Sequence, residues 1–225
     1  MKVGTDAVLL GAWADLPVQG RLLDVGTGTG ILALMAAQRA PLLTIDAIDI
    51  DTEAVLQAQE NIGRSPYADR IRVWEEEVRE ERLEVREERV EVREGYDCLI
   101  CNPPFFTEAL ESPVEARSRA RHAVHLRPET LVAFSAAQLR EEGTLHVVLP
   151  EKEGEGFARL CFAAGLRTYR ITHVKTTPTK EPKRVLLSFR KTTAPVSMDI
   201  NTLTLTHDGR RSEAYDALTR DFYLW

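Results

Sequence analysis

DVGTGTG, residues 24–30, stands between the apolar run RLLDV (21–25) and the helix-like ILALMAAQRA (31–40), so a glycine-rich turn joins a buried strand to a helix. Gly26, Gly28 and Gly30 let backbone approach a ligand closely at that helix N-terminus. A dinucleotide fingerprint reads G-x-G-x-x-G and would require glycine at 31, where this chain has Ile31. The spacing G-x-G-x-G, with Asp24 ahead of the first glycine, suits S-adenosylmethionine instead.

Working outward, Thr5–Ala14 reads as a short helix, apolar at 8, 9, 10, 12 and 13. Strand-like LLTIDAIDI (42–50) precedes a helix over 52–62, for which Asp51 is a fitting N-cap. IRVW (71–74) and YDCLIC (96–101) read as strands, 128–142 as a helix, TLHVVLP (144–150) as a strand and 156–166 as a helix. RTYRITHV and RVLLSF supply two further strands. Strands alternating with helices predict an α/β architecture, a parallel sheet covered on both faces. Ligands of such sheets bind beyond the carboxyl ends of the strands, so site residues are expected just after strands.

Asp49 ends the second strand, where a carboxylate accepts hydrogen bonds from the ribose hydroxyls of an adenosyl cofactor, with Ile50 beside it. Asp46 is too early in the strand for that role, and Asp51 is better placed as the cap. After the third strand, WEEEV offers Glu77 for the adenine amino group and Val78 for apolar contact. NPPFF (102–106) follows the fourth strand. An adenine amine is a poor nucleophile because its lone pair is delocalised into the ring. Acceptors on its hydrogens, the Asn102 side-chain oxygen and the Pro103 carbonyl, favour a tetrahedral nitrogen. Pro103 and Pro104 lack N–H groups and stiffen the turn. Phe105 can stack on a base, worth about 1–3 kcal/mol, and Phe106 is a second candidate RNA contact.

Cys98 and Cys101 form C-x-x-C, but positions i and i+3 of a strand face opposite sides, so no metal is expected. None of the histidines stands near a serine or cysteine that reads as a nucleophile. The three cysteines are too few and too uneven for a disulfide framework, which points to the cytoplasm. No apolar run reaches membrane-spanning length and no obligate protein partner is evident. The 225 residues carry 29 Lys and Arg against 35 Asp and Glu, a net charge of −6 that argues on its face against nucleic acid. That charge is concentrated. Residues 75–95 hold ten Glu and five Arg, a local −5, leaving −1 for the rest. This repeat (EVREERL, EVREERV, EVREG) reads as a surface insertion at about 77–95 in a single domain spanning 1–225. Residues 167–191 carry eight Lys and Arg against one Glu, and 117–127 carry four Arg and two His. Lys175, Lys180, Lys183 and Arg184, with Arg117, Arg119 and Arg121 near the NPPFF loop, are the candidate phosphate contacts.

MKVGTDAVLLGAWA at the start, LLDVGTGTGILALMAAQR, NPPFF, VVLPE (147–151) and SEAYDALTRDFYL (212–224) together resemble the bacterial valine-tRNA adenine-N6 methyltransferase family. The resemblance spans nearly the whole chain apart from the repeat, with a family-specific segment at about 195–225. It implies a Rossmann-like class I methyltransferase fold with a mostly parallel, seven-stranded sheet, S-adenosyl-L-methionine as cofactor and tRNA as partner. Matched by position, Gly26, Gly28, Gly30 and Asp49 fall on the cofactor motif, and Asn102, Pro103, Pro104 and Phe105 on the catalytic motif. Thr5 and Asp6 match the family's opening motif, near the methionine end of the cofactor. Phe106 stands where the family commonly has Tyr. A protein-glutamine methyltransferase acting on release factors would suit the same N-P-P turn but carries an N-terminal helical domain, for which residues 1–25 leave no room. DNA adenine methylation would need a sizeable target-recognition domain, and a cofactor-binding RNA scaffold would not need NPPF.

Overall fold

The computed structural model describes residues 4–79, 95–104 and 126–223. Helix α1 (Thr5–Trp13) leads to β1 (Gln19–Val25), α2 (Ile31–Arg39), β2 (Leu42–Asp49), α3 (Thr52–Gly63), β3 (Ile71–Glu75) and β4 (Tyr96–Cys101). Then follow α4 (Pro128–Gln138), β5 (Leu139–Pro150), α5 (Glu151–Ala163), β6 (Leu166–Lys175), β7 (Arg184–Lys191) and β8 (Asp199–Thr204). A hairpin of β9 (Thr206–His207) and β10 (Arg210–Arg211) and helix α6 (Glu213–Thr219) complete the described chain, apart from a 3-10 turn at Arg220–Phe222.

The main sheet runs β3-β2-β1-β4-β5-β7-β6-β8. Strands β1 to β5 are parallel, and β7 inserts antiparallel between β5 and β6. The order reverses at β1, since the chain first crosses to β2 and β3 and then returns to place β4 on the other side. That switch point is where open α/β sheets bind ligands. Alternation along β1 serves two cores: Leu22 packs with Cys98, Ile100 and the α1 and α2 residues Leu10 and Ala33. Leu23 and Val25 pack on the opposite face with Leu99, Cys101, Phe134 and Phe189. Cys98 and Cys101 therefore lie on opposite faces, each fully buried.

The resemblance implies seven strands; the sheet has eight. The added β8 pairs parallel with β6, Ile171 opposite Ile200 and His173 opposite Thr202. Its first four residues are exposed, so it lacks the buried alternation that marks a strand in sequence. Polar contacts hold it instead: the Trp13 indole N–H donates to Thr172 Oγ1 at 2.9 Å, and that hydroxyl donates to Asn201 Oδ1 at 2.6 Å. Two helix boundaries also move. Helix α4 stops at Gln138 rather than 142 because Leu139 pairs with Tyr96, while the Lys191 ammonium caps the Ala136 and Leu139 carbonyls at 2.7 Å each. Helix α5 starts at Glu151 rather than 156. Its Gly154 lies so close to β7 that a Cβ there would sit 2.6 Å from Val185 Cγ1, so this helix glycine serves close packing.

Candidate active site

Strand register brings three sequence-distant residues together. Val25 lies opposite Ile48 on one side and Cys101 on the other. Gly26, Asp49 and Asn102 each follow one of these three, so they leave neighbouring strands at the same level of the carboxyl edge. The glycine turn is tied down at its start, where the Gly26 and Thr27 amides both donate to the Ile48 carbonyl at 2.9 Å. Gly26, Gly28 and Gly30 all have positive φ, at 69°, 55° and 80°. A Cβ built on Gly26 would meet nothing within 4 Å, so the turn borders open space that side chains elsewhere would fill.

Two carboxylates brace this turn. Asp49 Oδ2 accepts from the Gly28 amide at 2.8 Å, and its Oδ1 accepts from the Asp51 amide at 3.0 Å. Asp51 in turn caps α3 by accepting from the Glu53 amide at 2.9 Å, which separates the roles the sequence reading gave these two residues. Asp24 is fully buried; its Oδ2 accepts from the Thr27 hydroxyl at 2.5 Å and the Ala33 amide at 3.1 Å. Its other oxygen, Oδ1, is buried without a hydrogen-bond partner among the described residues. Burial pushes the Asp24 carboxyl up to about 7, the Thr27 and Ala33 hydrogen bonds oppose this, and the Asp49 charge adds to it. Thr27 and Ala33 escape a reading that attends to glycine and acidic residues, although Thr27 lies within the motif itself.

Asn102 follows β4 directly, and its Oδ1 is buried with no hydrogen-bond partner among the described residues. Buried acceptors in folded proteins are nearly always paired, so an unpartnered one at a strand end is a candidate position for a ligand donor. Pro103 is buried and Pro104 partly so. Phe105, Phe106, Arg117, Arg119 and Arg121 lie outside the described residues, as does the repeat from 80 to 94.

The remaining candidates divide. Thr5 and Asp6 open α1, and Asp6 Oδ2 accepts from the Arg184 Nε at 2.8 Å. Arg184 begins β7 opposite Pro150 and Val174, so the pair sits at the carboxyl edge. One pair thus joins a cofactor candidate to an RNA candidate 178 residues apart. Glu77 lies beyond β3 and is engaged by Arg79 at 2.8 Å, while Val78 packs on the second core and Ile50 is partly buried. Lys180 and Lys183 are exposed in the β6–β7 connection, and Lys175 is half-buried.

The structure also pairs a histidine with a serine. His146 Nδ1 lies 2.8 Å from Ser188 Oγ, both side chains fully buried in mid-sheet. No substrate reaches that position, and the Trp13 and Tyr169 rings pack edge-on against the imidazole. The pair is part of the core.

Comparison with known proteins places this geometry. A family described as "Methyltransferase small domain" matches residues 3–161. A tRNA1(Val) (adenine(37)-N6)-methyltransferase of Citrobacter koseri is 41% identical over 226 residues, covering 100% of this chain and 89% of the relative. A protein of the same description from Parabacteroides distasonis is 42% identical, covering 100% and 91%. Among solved structures, a protein from Agrobacterium tumefaciens titled a "predicted O-methyltransferase" superposes with a TM-score of 0.73 at 20% identity, covering 96% of each chain. A SAM-dependent methyltransferase from Aquifex aeolicus superposes at 0.54, with 14% identity and 78% and 85% coverage. These two share the fold.

Proposed function

The chain belongs to the tRNA1(Val) (adenine(37)-N6)-methyltransferase family, within the methyltransferase small domain group, and from that membership we propose how its site works. It methylates N6 of adenine 37 in tRNA1(Val), taking the methyl group from S-adenosylmethionine. We read 1–225 as one methyltransferase domain carrying the Glu/Arg repeat at about 77–95 as an insertion and 195–225 as a family-specific segment.

The residues at the switch point fit the cofactor. The open face of Gly26 leaves room for a ligand against the backbone, Asp49 at the end of β2 is proposed to take the ribose, and the Asp24 oxygen with no partner among the described residues lies in the same turn. Thr5, Asp6, Gly28, Gly30, Ile50, Glu77 and Val78 complete the proposed cofactor set. When bound, the cofactor supplies an electrophilic methyl group on a sulfonium.

The observation that carries the reading is the buried, unpartnered Oδ1 of Asn102, one strand from the glycine turn. With the Pro103 carbonyl it accepts the two N6 hydrogens of the target base and leaves the nitrogen lone pair directed at the methyl group. This is positioning and polarisation of the nucleophile, so transfer needs no covalent enzyme intermediate. No strong base is required, because the methylated amine is acidic enough to lose its proton to water. A base in the anticodon loop is turned outward more cheaply than one held in a duplex. Phe105 and Phe106 are proposed to stack on it, and Lys175, Lys180 and Lys183 to contact the backbone in the cytoplasm.

Asn102→Ala is expected to bind S-adenosylmethionine within a few-fold of the parent while methyl transfer falls by orders of magnitude. Calorimetric binding and incorporation of labelled methyl into tRNA measure the two halves separately. Near-parental turnover would sink the assignment. Label appearing in release factor rather than tRNA would move the chain to the glutamine-modifying class.

A further inference from the structure

We propose that Asp24 is a neutral carboxylic acid in the free protein and becomes the counter-charge of the cationic cofactor, so that cofactor binding expels one proton from beneath the glycine turn. The inference rests on the cofactor assignment above and adds a charge state to it.

The geometry of Asp24 is lopsided. One oxygen takes both available donors, from Thr27 and Ala33, and the other is buried with none. Register puts the carboxyl between Ala47 of β2 and Ile100 of β4, two apolar residues. Among the described residues, the titratable groups that act on it are Asp49 from β2 and the Cys101 thiol from β4. Neither supplies positive charge: Asp49 repels a second anion, and burial holds Cys101 well above its ordinary range, as a neutral thiol. The turn and α2 contribute only the hydroxyl and the amide. An ionised carboxylate there is a half-solvated anion beside another anion, the arrangement that holds carboxyls protonated near neutrality.

S-adenosylmethionine carries a sulfonium and an ammonium against one carboxylate. Its arrival over the turn brings net positive charge to Asp24, whose Oδ1 is buried with no hydrogen-bond partner among the described residues. The differential interaction favours ionised Asp24, and linkage then requires a proton to leave to the buffer as the cofactor binds. Binding is therefore weakened by acid: below neutrality each pH unit lowers affinity about tenfold, because the site first surrenders a proton.

Titration calorimetry of the protein with S-adenosylmethionine, in two buffers of different ionisation enthalpy, counts that proton. More than half a proton should leave near pH 6.5 for a group that titrates at about 7, below the range where the cofactor's own amine titrates. Asp24→Asn should bind with no proton released there and with affinity independent of pH below neutrality. Binding without proton release in the parent, or equal release in Asp24→Asn, overturns the proposal. If that variant does not fold, infrared difference spectroscopy of the parent reads the same event. A protonated-carboxyl stretch must vanish on binding, and its persistence is equally fatal. Absence of any binding overturns the cofactor assignment itself.

Discussion

At the scale of single residues, two buried groups set opposite pH dependences on stability. Burial lowers His146 from its ordinary 6.5 to about 4, with the Asp15 charge and backbone opposing and Arg170 and Arg39 assisting. The unfolded chain therefore binds a proton below 6.5 that the folded chain refuses, and stability is lost as pH falls from 6.5 towards 4. At 1.36 kcal/mol per unit that loss is about 3 kcal/mol. Asp24 acts in the other sense. Its folded value of about 7 lies above the ordinary 3.8, so the folded state holds a proton that the unfolded state releases, and stability declines as pH rises between the two. The slopes nearly cancel from pH 4 to 6.5. Melting temperatures of the cofactor-free parent should be flat there once other groups are matched by difference. His146→Gln should then grow more stable relative to the parent as pH falls, and Asp24→Asn less stable. Parallel curves for all three proteins would show that neither group changes its charge state on folding.

At the scale of elements, the C-terminal segment works as a clamp. Ser212 caps α6 by accepting from the Tyr215 amide at 3.1 Å, and its hydroxyl donates to the Thr204 carbonyl, fixing α6 against the end of β8. Tyr215 packs into the main core, while Leu218, Phe222 and Tyr223 cover Val8, Ala12 and Met35 of α1 and α2. Arg211 lies over both the Tyr215 and Tyr223 rings, at 4.2 and 4.7 Å. Tyr215→Ala should cost about 3–5 kcal/mol, the range for deleting a buried aromatic. It should also speed hydrogen exchange in α1, whose Asp6 pairs with Arg184, and urea unfolding with exchange mass spectrometry would measure both. Unchanged exchange in α1 would reduce the clamp to a local pack. This segment also shows where sequence reading stops. The tail was recognisable as a family motif, but its contacts to α1 join residues more than 200 positions apart, and no local pattern encodes them. Edge strand β8 carries no apolar alternation, and α5 hid its start behind two glycines, although Glu151 and Glu153 favour a helix N-terminus. By contrast, the Gly26 turn, Asp49 and Asn102 were legible because each ends a strand, and strand ends are written locally. Their meeting followed from the parallel order alone. The Asp6–Arg184 pair needed the antiparallel β7, which no motif announces.

At the scale of the whole molecule, the question is how a chain of net charge −6 holds tRNA. Five of those negative units belong to residues 75–95, of which the described residues 75–79 end and follow β3, the edge strand opposite β8. The cations of the β6–β7 connection lie on the other half of the sheet, past β4. They are not equivalent. Lys180 and Lys183 are exposed, and no ion pair ties either of them among the described residues, whereas Arg184 is engaged by Asp6. Counterion release makes the salt slope of RNA affinity proportional to the number of phosphates neutralised, about 0.7–0.9 per contact. Lys180→Ala and Lys183→Ala should each weaken tRNA binding and flatten the plot of log affinity against log salt by that amount, leaving S-adenosylmethionine affinity unchanged. Arg184→Ala should barely change the slope and should instead loosen α1 and weaken cofactor binding, because its charge is spent on Asp6. Filter binding across a salt series, with cofactor calorimetry beside it, separates the two behaviours. A full unit of slope lost in Arg184→Ala would mean that RNA takes the guanidinium from Asp6, and that binding the substrate rearranges the entrance to the cofactor site.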